Sequence, residues 1–291
     1  MGHAVKVEPR TGSVAADDAR EVELPRSLSP SGASTFRQCA RRWKFRYVDK
    51  LPDPPGEPAL RGTFVHHVLE ELLAVAPAQR TLERARAICR DLWPQLATRP
   101  DFAALELPEA QERAFRWNAW TDIEGYFQLV DPAEVDVLDR ERDVHTSLEG
   151  VPFRGIVDLV DRVPEGVRVT DYKTGRPPPR RFVDSRLSQV WLYAAALESV
   201  GDDVSEVRLL YLGETGAGRD ERRPTEIARP FDADAVSAAV GEHRDTWGRI
   251  TEAAATDCFE PTPGPLCSWC PYRHDCPEGQ LEHQRRTGLA A

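Results

Sequence analysis

The stretch from Gly155 to Gly175, GIVDLVDRVPEGVRVTDYKTG, leaves the chain few ways to fold. Residues 153–162 are rich in Phe, Ile, Val and Leu, 167–173 form a second β-prone run, and Val163-Pro164-Glu165-Gly166 between them is turn-forming, so the stretch reads as an antiparallel hairpin. With those four residues as the loop, Arg162 faces Val167, and counting down the ladder brings Asp158 opposite Asp171. Side chains alternate along a strand, so Asp158, Asp171 and Lys173 are expected on one face while Tyr172 points to the other. Two carboxylates opposed on a strand flanked by Ile156, Val157, Leu159 and Val160 destabilise the sheet unless something neutralises them. A hard divalent ion such as magnesium or manganese suits such oxygen ligands. The competing reading is an exposed hairpin on which Lys173 merely pairs with Asp171, and an isolated D-x-K pattern favours it.

Composition narrows the setting. A formal charge of −10 argues against a wholesale basic nucleic-acid binder but leaves room for a local basic channel. No apolar run approaches the ~18–20 residues a membrane span needs, and the first residues lack the apolar segment of a signal peptide, so a cytoplasmic protein is expected. Six cysteines in that setting are expected to be metal ligands or core thiols rather than disulfides.

Residues 1–26 lack periodicity and are expected to form a mobile tail, with a single domain over 27–291. In the segment that follows, Phe36, Cys39, Trp43 and Tyr47 recur at helical spacing and interleave with Arg37, Arg41, Arg42, Lys44 and Arg46. A basic helix laced with aromatics suits a nucleic-acid strand, and an ordinary amphipathic helix with a solvated basic face fits equally well. A Pro-rich linker leads to a strongly amphipathic helix built on Phe64, Val65, Val68, Leu69, Leu72 and Leu73, on which His66 and Glu70 share a side. Residues 81–93 and 108–130 read as further helices within a helical insertion over 75–135, a wall over the sheet without chemistry of its own. A strand over 140–148 turns at Glu149-Gly150 into the hairpin; its Glu141 could approach the hairpin's carboxylates, but a surface glutamate is the expected reading. A helix follows to Ser199 with Gln189 and Tyr193 at i, i+4, then a strand over 206–213 and a long helix over 232–255. This order suggests an α/β core with a mixed sheet flanked by helices.

The Pro-rich tail carries Cys267, Cys270 and Cys276 in a C-x2-C-x5-C pattern within a cysteine-rich region over 258–280, a strong metal signal. A fourth ligand from His274 or Cys258 gives a local zinc site, whereas Cys39 gives an all-cysteine site suited to an iron–sulfur cluster. Cys89 reads as a buried core thiol.

From about Ser27 to Pro277 the chain resembles the RecB-like branch of the PD-(D/E)XK nuclease superfamily, with its restriction-endonuclease-like core, and especially its iron–sulfur members among CRISPR-associated nucleases and AddB subunits. GTFVHHVLE is similar to that family's G-x-x-x-H-x-x-L-E helix, and GIVDLVD and VTDYKTG are similar to its two catalytic strands. QVWLY resembles its Q-x-x-x-Y helix, and Cys39 with the three tail cysteines resembles its 4Fe-4S pattern joining the N- and C-terminal segments. The resemblance implies a metal-dependent DNA nuclease of repair or recombination, acting as an exonuclease on single strands with Mg2+ or Mn2+. His66, Asp158 and Asp171 would hold the metal, Lys173 would be catalytic, and Gln189 and Tyr193 would position the strand. Asp171 stands where many members have Glu. GETGAGRD lacks the ending of a P-loop, so any helicase motor would be a separate partner. The alternative from another class is a non-catalytic DNA-binding or scaffold subunit with structural zinc.

Overall fold

In the computed structural model, which describes residues 22–213 and 224–288, two helices stand where the periodicity gives one. Helix α1 (Pro30–Gln38) ends at Cys39, which is extended at φ −165° and ψ 112°, and α2 (Ala40–Tyr47) starts beyond it. Phe36 and Trp43 are buried and pack with Leu28, Val151, Ile250 and Phe259, so these rings are core and not a stacking surface. The basic residues are largely engaged within the protein. Arg37 meets Glu242, Arg41 donates to the Phe259 carbonyl, Lys44 meets Asp49 and Asp257, and Arg46 meets Asp53. Val22 and Leu24 already pack against this cluster, ahead of the expected start of order; residues 1–21 and 214–220 of GETGAGRD lie outside the described residues.

Helix α3 (Glu57–Ala74) buries the apolar face read from the sequence, against α4 (Leu82–Ala97), the short α5 (Pro100–Ala103) and α6 (Glu109–Leu129). The sheet then runs β1 (Asp136–Leu148), β2 (Val151–Val163) and β3 (Gly166–Lys173), all antiparallel. Arg162 faces Val167 and Leu159 faces Thr170, the expected register. The turn is tighter than expected, because Val163 pairs with Gly166 and only Pro164 and Glu165 remain unpaired. Gly166 sits at φ +149°, where an added Cβ would lie 2.4 Å from the Asp203 carbonyl oxygen, so glycine is required there.

Helix α7 (Val183–Ser199) crosses over to β4 (Val204–Tyr211), which lies parallel to β3. Strand β5 (Thr225–Pro230), absent from the sequence reading, pairs antiparallel with β4 at the sheet edge. Its short, half-exposed TEIARP carries little apolar alternation, which is typical of a managed edge. Helices α8 (Ala233–Ala255) and α9 (Pro277–Thr287) complete the chain. The result is a mixed five-stranded sheet, ordered β1 to β5, with α3, α4 and α6 against one face and α7 and α8 against the other. Among the described residues no helix is long and apolar enough to cross a membrane.

Candidate functional site

Helix α3 and strands β1, β2 and β3 bring their polar residues together beside α7. On β3, Asp171 and Lys173 alternate with Tyr172, whose ring enters the α3 core with Leu159 and Leu210. Strand β2 breaks its alternation at Asp158: Val157 and Val160 lie in the same cluster although three residues apart. Across from this irregularity, Arg140 pairs with Leu159 and Arg142 with Val157, and Glu141 between them takes φ +46°. A non-glycine residue in that region is strained, and such strain concentrates at functional sites.

Asp158 accepts a hydrogen bond from the Tyr172 N–H through Oδ2, at 2.6 Å. Its other oxygen lies 3.4 Å from His66 Nδ1, which is itself 3.9 Å from Glu141 Oε1. His66 Nε2 is 3.1 Å from the Tyr172 carbonyl. Donation there orients the ring and aims Nδ1 at the carboxylates, the second-sphere arrangement common to metal-bound imidazoles. One ligand atom each from His66, Glu141 and Asp158 falls within 4.8 Å of the others, the tight cation-sized set among the described residues. The expected trio had Asp171 in place of Glu141, and the surface reading of Glu141 does not hold. The signal was available: counting back from the Glu149-Gly150 turn sets Glu141 across from Asp158.

Asp171 is buried and held by two neighbours. Lys173, two residues along the same strand, brings Nζ to 2.6 Å from Asp171 Oδ2, and Gln189 Nε2 donates to Oδ1 at 2.9 Å. The same Gln189 nitrogen is 2.8 Å from the Tyr193 hydroxyl, while its Oε1 accepts from Lys173 at 3.1 Å. Gln189 therefore fixes the acid and the lysine relative to each other, with Tyr193 behind it.

The charges are strongly coupled. Burial pushes Glu141 up to about 7, reinforced by Asp158, and burial pushes Asp171 up to about 6 against the pull of Lys173. Burial alone would lower His66, but the charge of Asp158 and its hydrogen bond outweigh it and lift the imidazole to about 9. The imidazolium thus offsets the clustered acids at neutral pH. This donor set of one imidazole nitrogen and carboxylate oxygens fits a hard divalent ion, which would supply the same neutralisation.

Gly155 has a specific reason to lack a side chain. A Cβ there would stand 2.7 Å from Tyr193 Cε1 and 2.9 Å from Phe153 Cζ, and both rings are buried. Gly155→Ala is expected to cost about 1–3 kcal/mol by overpacking. Urea unfolding measures it, and an unchanged midpoint would mean that the rings relax freely.

Lys173 and Gln189 also line a cleft of about 510 Å³ with Arg37, Arg176, Arg186 and the hydroxyls of Ser31, Ser34, Ser185 and Ser188. No carboxylate is among its lining residues. Such a wall has the chemistry to suit an anionic chain, with hydroxyls and guanidinium groups available as donors.

At the other end of the chain, Cys39, Cys267, Cys270 and Cys276 line one small cavity of about 30 Å³, together with Arg41, Arg42 and Arg273. Backbone N–H groups of Thr262, Gly264 and Gly279 donate to Cys39, Cys267 and Cys276, each at 3.4 Å. The thiols form no set of three within 4.8 Å among the described residues. Cys258, exposed and bonded to Glu260, and the exposed His274 do not line this cavity. Cys89 is half-buried beside α6, and burial pushes its thiol up to about 11.

A mixed sheet with opposed acids and a strand D-x-K defines a class of nucleases, and residues 27–277 match the family described as the PD-(D/E)XK nuclease superfamily. The chain belongs to that superfamily. Among curated proteins it is similar to the Gene 69 protein of Mycobacterium phage D29, at 23% identity over 88% of this chain and 98% of that one. The Gene 69 protein of Mycobacterium phage L5 is 24% identical over 86% of this chain and 95% of that one. A crystal structure of a candidate exonuclease from Eubacterium rectale aligns at a TM-score of 0.45 and 15% identity, over 86% of this chain and 88% of the other.

Proposed function

We propose that this chain hydrolyses phosphodiester bonds of DNA, as a magnesium- or manganese-dependent exonuclease acting on single strands in repair or recombination. The observation that carries the reading is the convergence of His66, Glu141 and Asp158 beside the Asp171–Lys173–Gln189 cluster, at the wall of an arginine- and serine-lined cleft free of lining acids. A divalent cation held by His66, Glu141 and Asp158, with Asp171 beside them, would supply Lewis acidity and an activated water. The chain's own residues do the rest. Arg176 and Arg186 attract the phosphates, Lys173 faces the reacting group as a charge stabiliser or proton partner, and Gln189 holds Lys173 against Asp171. Single-strand preference and exonuclease action rest on the family resemblance. A non-catalytic DNA-binding subunit would have no use for carboxylates clustered this closely, with burial raising both Glu141 and Asp171.

We assign the four cavity cysteines to a 4Fe-4S cluster, with zinc as the alternative. Support comes from the shared cavity, the N–H donors to sulfur and the adjacent arginines, which suit thiolate charge. A tetrahedral zinc–thiolate site needs sulfurs about 3.8 Å apart, given Zn–S bonds of about 2.3 Å, closer than this arrangement brings any three.

Labelled single-stranded DNA should be cut with magnesium or manganese and remain intact in chelator. Cation binding must displace the proton that His66 holds up to about 9 and any on Glu141, raised to about 7. Affinity should therefore increase as pH rises from 6 towards 9, with proton release visible by calorimetry in buffers of different ionisation enthalpy. Affinity flat across that range, together with uncut DNA, would count against the metal site.

A further inference from the structure

The faces of α4 and α6 that turn towards each other border a cleft of about 760 Å³ in which the sequence pattern had suggested only a wall. Helix α4 contributes Arg86, Arg90 and Trp93, spaced to fall on one face, and α6 contributes Arg113, Arg116, Trp117 and Trp120. The guanidinium of Arg86 lies 4.6 Å from the Trp120 ring centroid, and that of Arg116 lies 4.9 Å from the Trp93 centroid. Trp117 is 68% exposed. Arg113 meets Glu109, whereas Arg86, Arg90 and Arg116 make no ion pair among the described residues. No Asp or Glu lines the cleft, although the chain carries 48 of them and a net charge of −10.

Apart from those two cation–π contacts, the arrangement works against the fold. Arginines at i, i+4 on α4 and at i, i+3 on α6 repel along their helices. An exposed indole adds solvated apolar surface without packing in return. Both penalties reverse when an anion carrying flat rings occupies the cleft. Guanidinium groups then face phosphates, and the exposed Trp117 indole stacks on a base. A duplex keeps its bases paired and stacked inside, so only an unpaired strand can present them to Trp117.

We propose that the α4–α6 cleft is an accessory binding site for single-stranded DNA, holding a part of the strand remote from the reacting phosphate. The proposal rests on the nuclease reading for the identity of the strand. Placement is set by α3: Phe64 borders the cleft, and His66, two residues on and about 200° around the helix, enters the metal-ligand set. The cleft therefore lies behind α3 from the chemistry, and a strand must pass around that helix to occupy both.

The test uses the full chain in chelator, so that binding is read without cleavage, with a fluorescent long oligo-dT and the variants Trp117→Ala and Arg86→Glu/Arg90→Glu. Trp117→Ala should weaken binding roughly 10-fold, the size expected when one stacking ring is lost. The double arginine variant should also lower the slope of log affinity against log salt by about 1.4, for two phosphate contacts on a single strand. Cleavage of an oligonucleotide too short to pass around α3 should be unchanged in both. Wild-type affinity and salt slope in both variants would overturn the proposal, whether the true occupant is an acidic protein surface or nothing at all. A duplex that binds as tightly and loses as much would overturn the stacking argument. If the wild type never cuts DNA yet binds it through Trp117, the accessory site stands and the nuclease reading falls.

Discussion

Lys173→Ala should lower DNA cleavage at least ~10²-fold while DNA affinity persists, the loss typical of removing one charge-stabilising or proton-transfer group. Lys173 Nζ contacts Asp171 and Gln189 and borders the arginine- and serine-lined cleft, so on the proposed nuclease reading it would stand between the acids and an incoming phosphate. Burial tends to lower its pKa, but Asp171 outweighs that and raises it, so the ammonium stays charged at neutral pH. Removal leaves Asp171 without its counter-ion. Because burial already lifts this acid to about 6, it can take up a proton near neutral pH instead of unfolding the strand. Lys173→Arg separates the two roles: it keeps the charge and the pairing, and it should keep stability, yet a bulkier fork that does not titrate should restore little activity. Full cleavage by Lys173→Ala with only a lowered melting temperature would reduce this lysine to a structural partner of Asp171.

Cys39→Ser should bleach protein purified without oxygen, removing the broad absorption near ~400 nm expected of a thiolate-bound iron–sulfur cluster. The cavity joins α1–α2 to the C-terminal loop, and Thr262 already reaches Cys39 across 223 residues of chain. A metal clip closing so long a loop restricts the unfolded chain strongly, so its loss should increase protease cutting at both ends. A local zinc site using Cys258 or His274 would be indifferent to this substitution. Colourless wild-type protein with stoichiometric zinc, still bound after Cys39→Ser, would sink the cluster.

The hairpin could be read from sequence because a short turn fixes register, and register fixes which residues oppose one another. Asp158, Asp171 and Lys173 followed from that count; an i, i+4 spacing put Gln189 and Tyr193 on one helix face, and only the family resemblance tied that face to the site. Glu141 required the same count on a second turn, plus the local strain at Glu141 that no propensity announces. The basic N-terminal helix was harder. What its arginines and Lys44 do depends on Glu242, Asp257 and the Phe259 carbonyl, all supplied from the far end of the chain. In α6 the pattern of Phe115, Ala119 and Ile123 announces a buried face and says nothing of what the opposite face meets. Only the pairing of α4 with α6 converts scattered arginines and tryptophans into one lined cleft.

Tyr172 grips both Asp158 and His66 through its main chain, by N–H to the one and carbonyl to the other, while its ring serves the α3 core. Those two contacts are independent of which side chain occupies the position. An alanine scan would score residue 172 as a packing site, since it deletes the ring and leaves both bonds in place. The ring also meets the His66 imidazole edge-on with centroids 5.6 Å apart, so its loss would loosen the packing of the imidazole without breaking either main-chain bond. The alignment of this site is carried by a peptide group that side-chain genetics does not see.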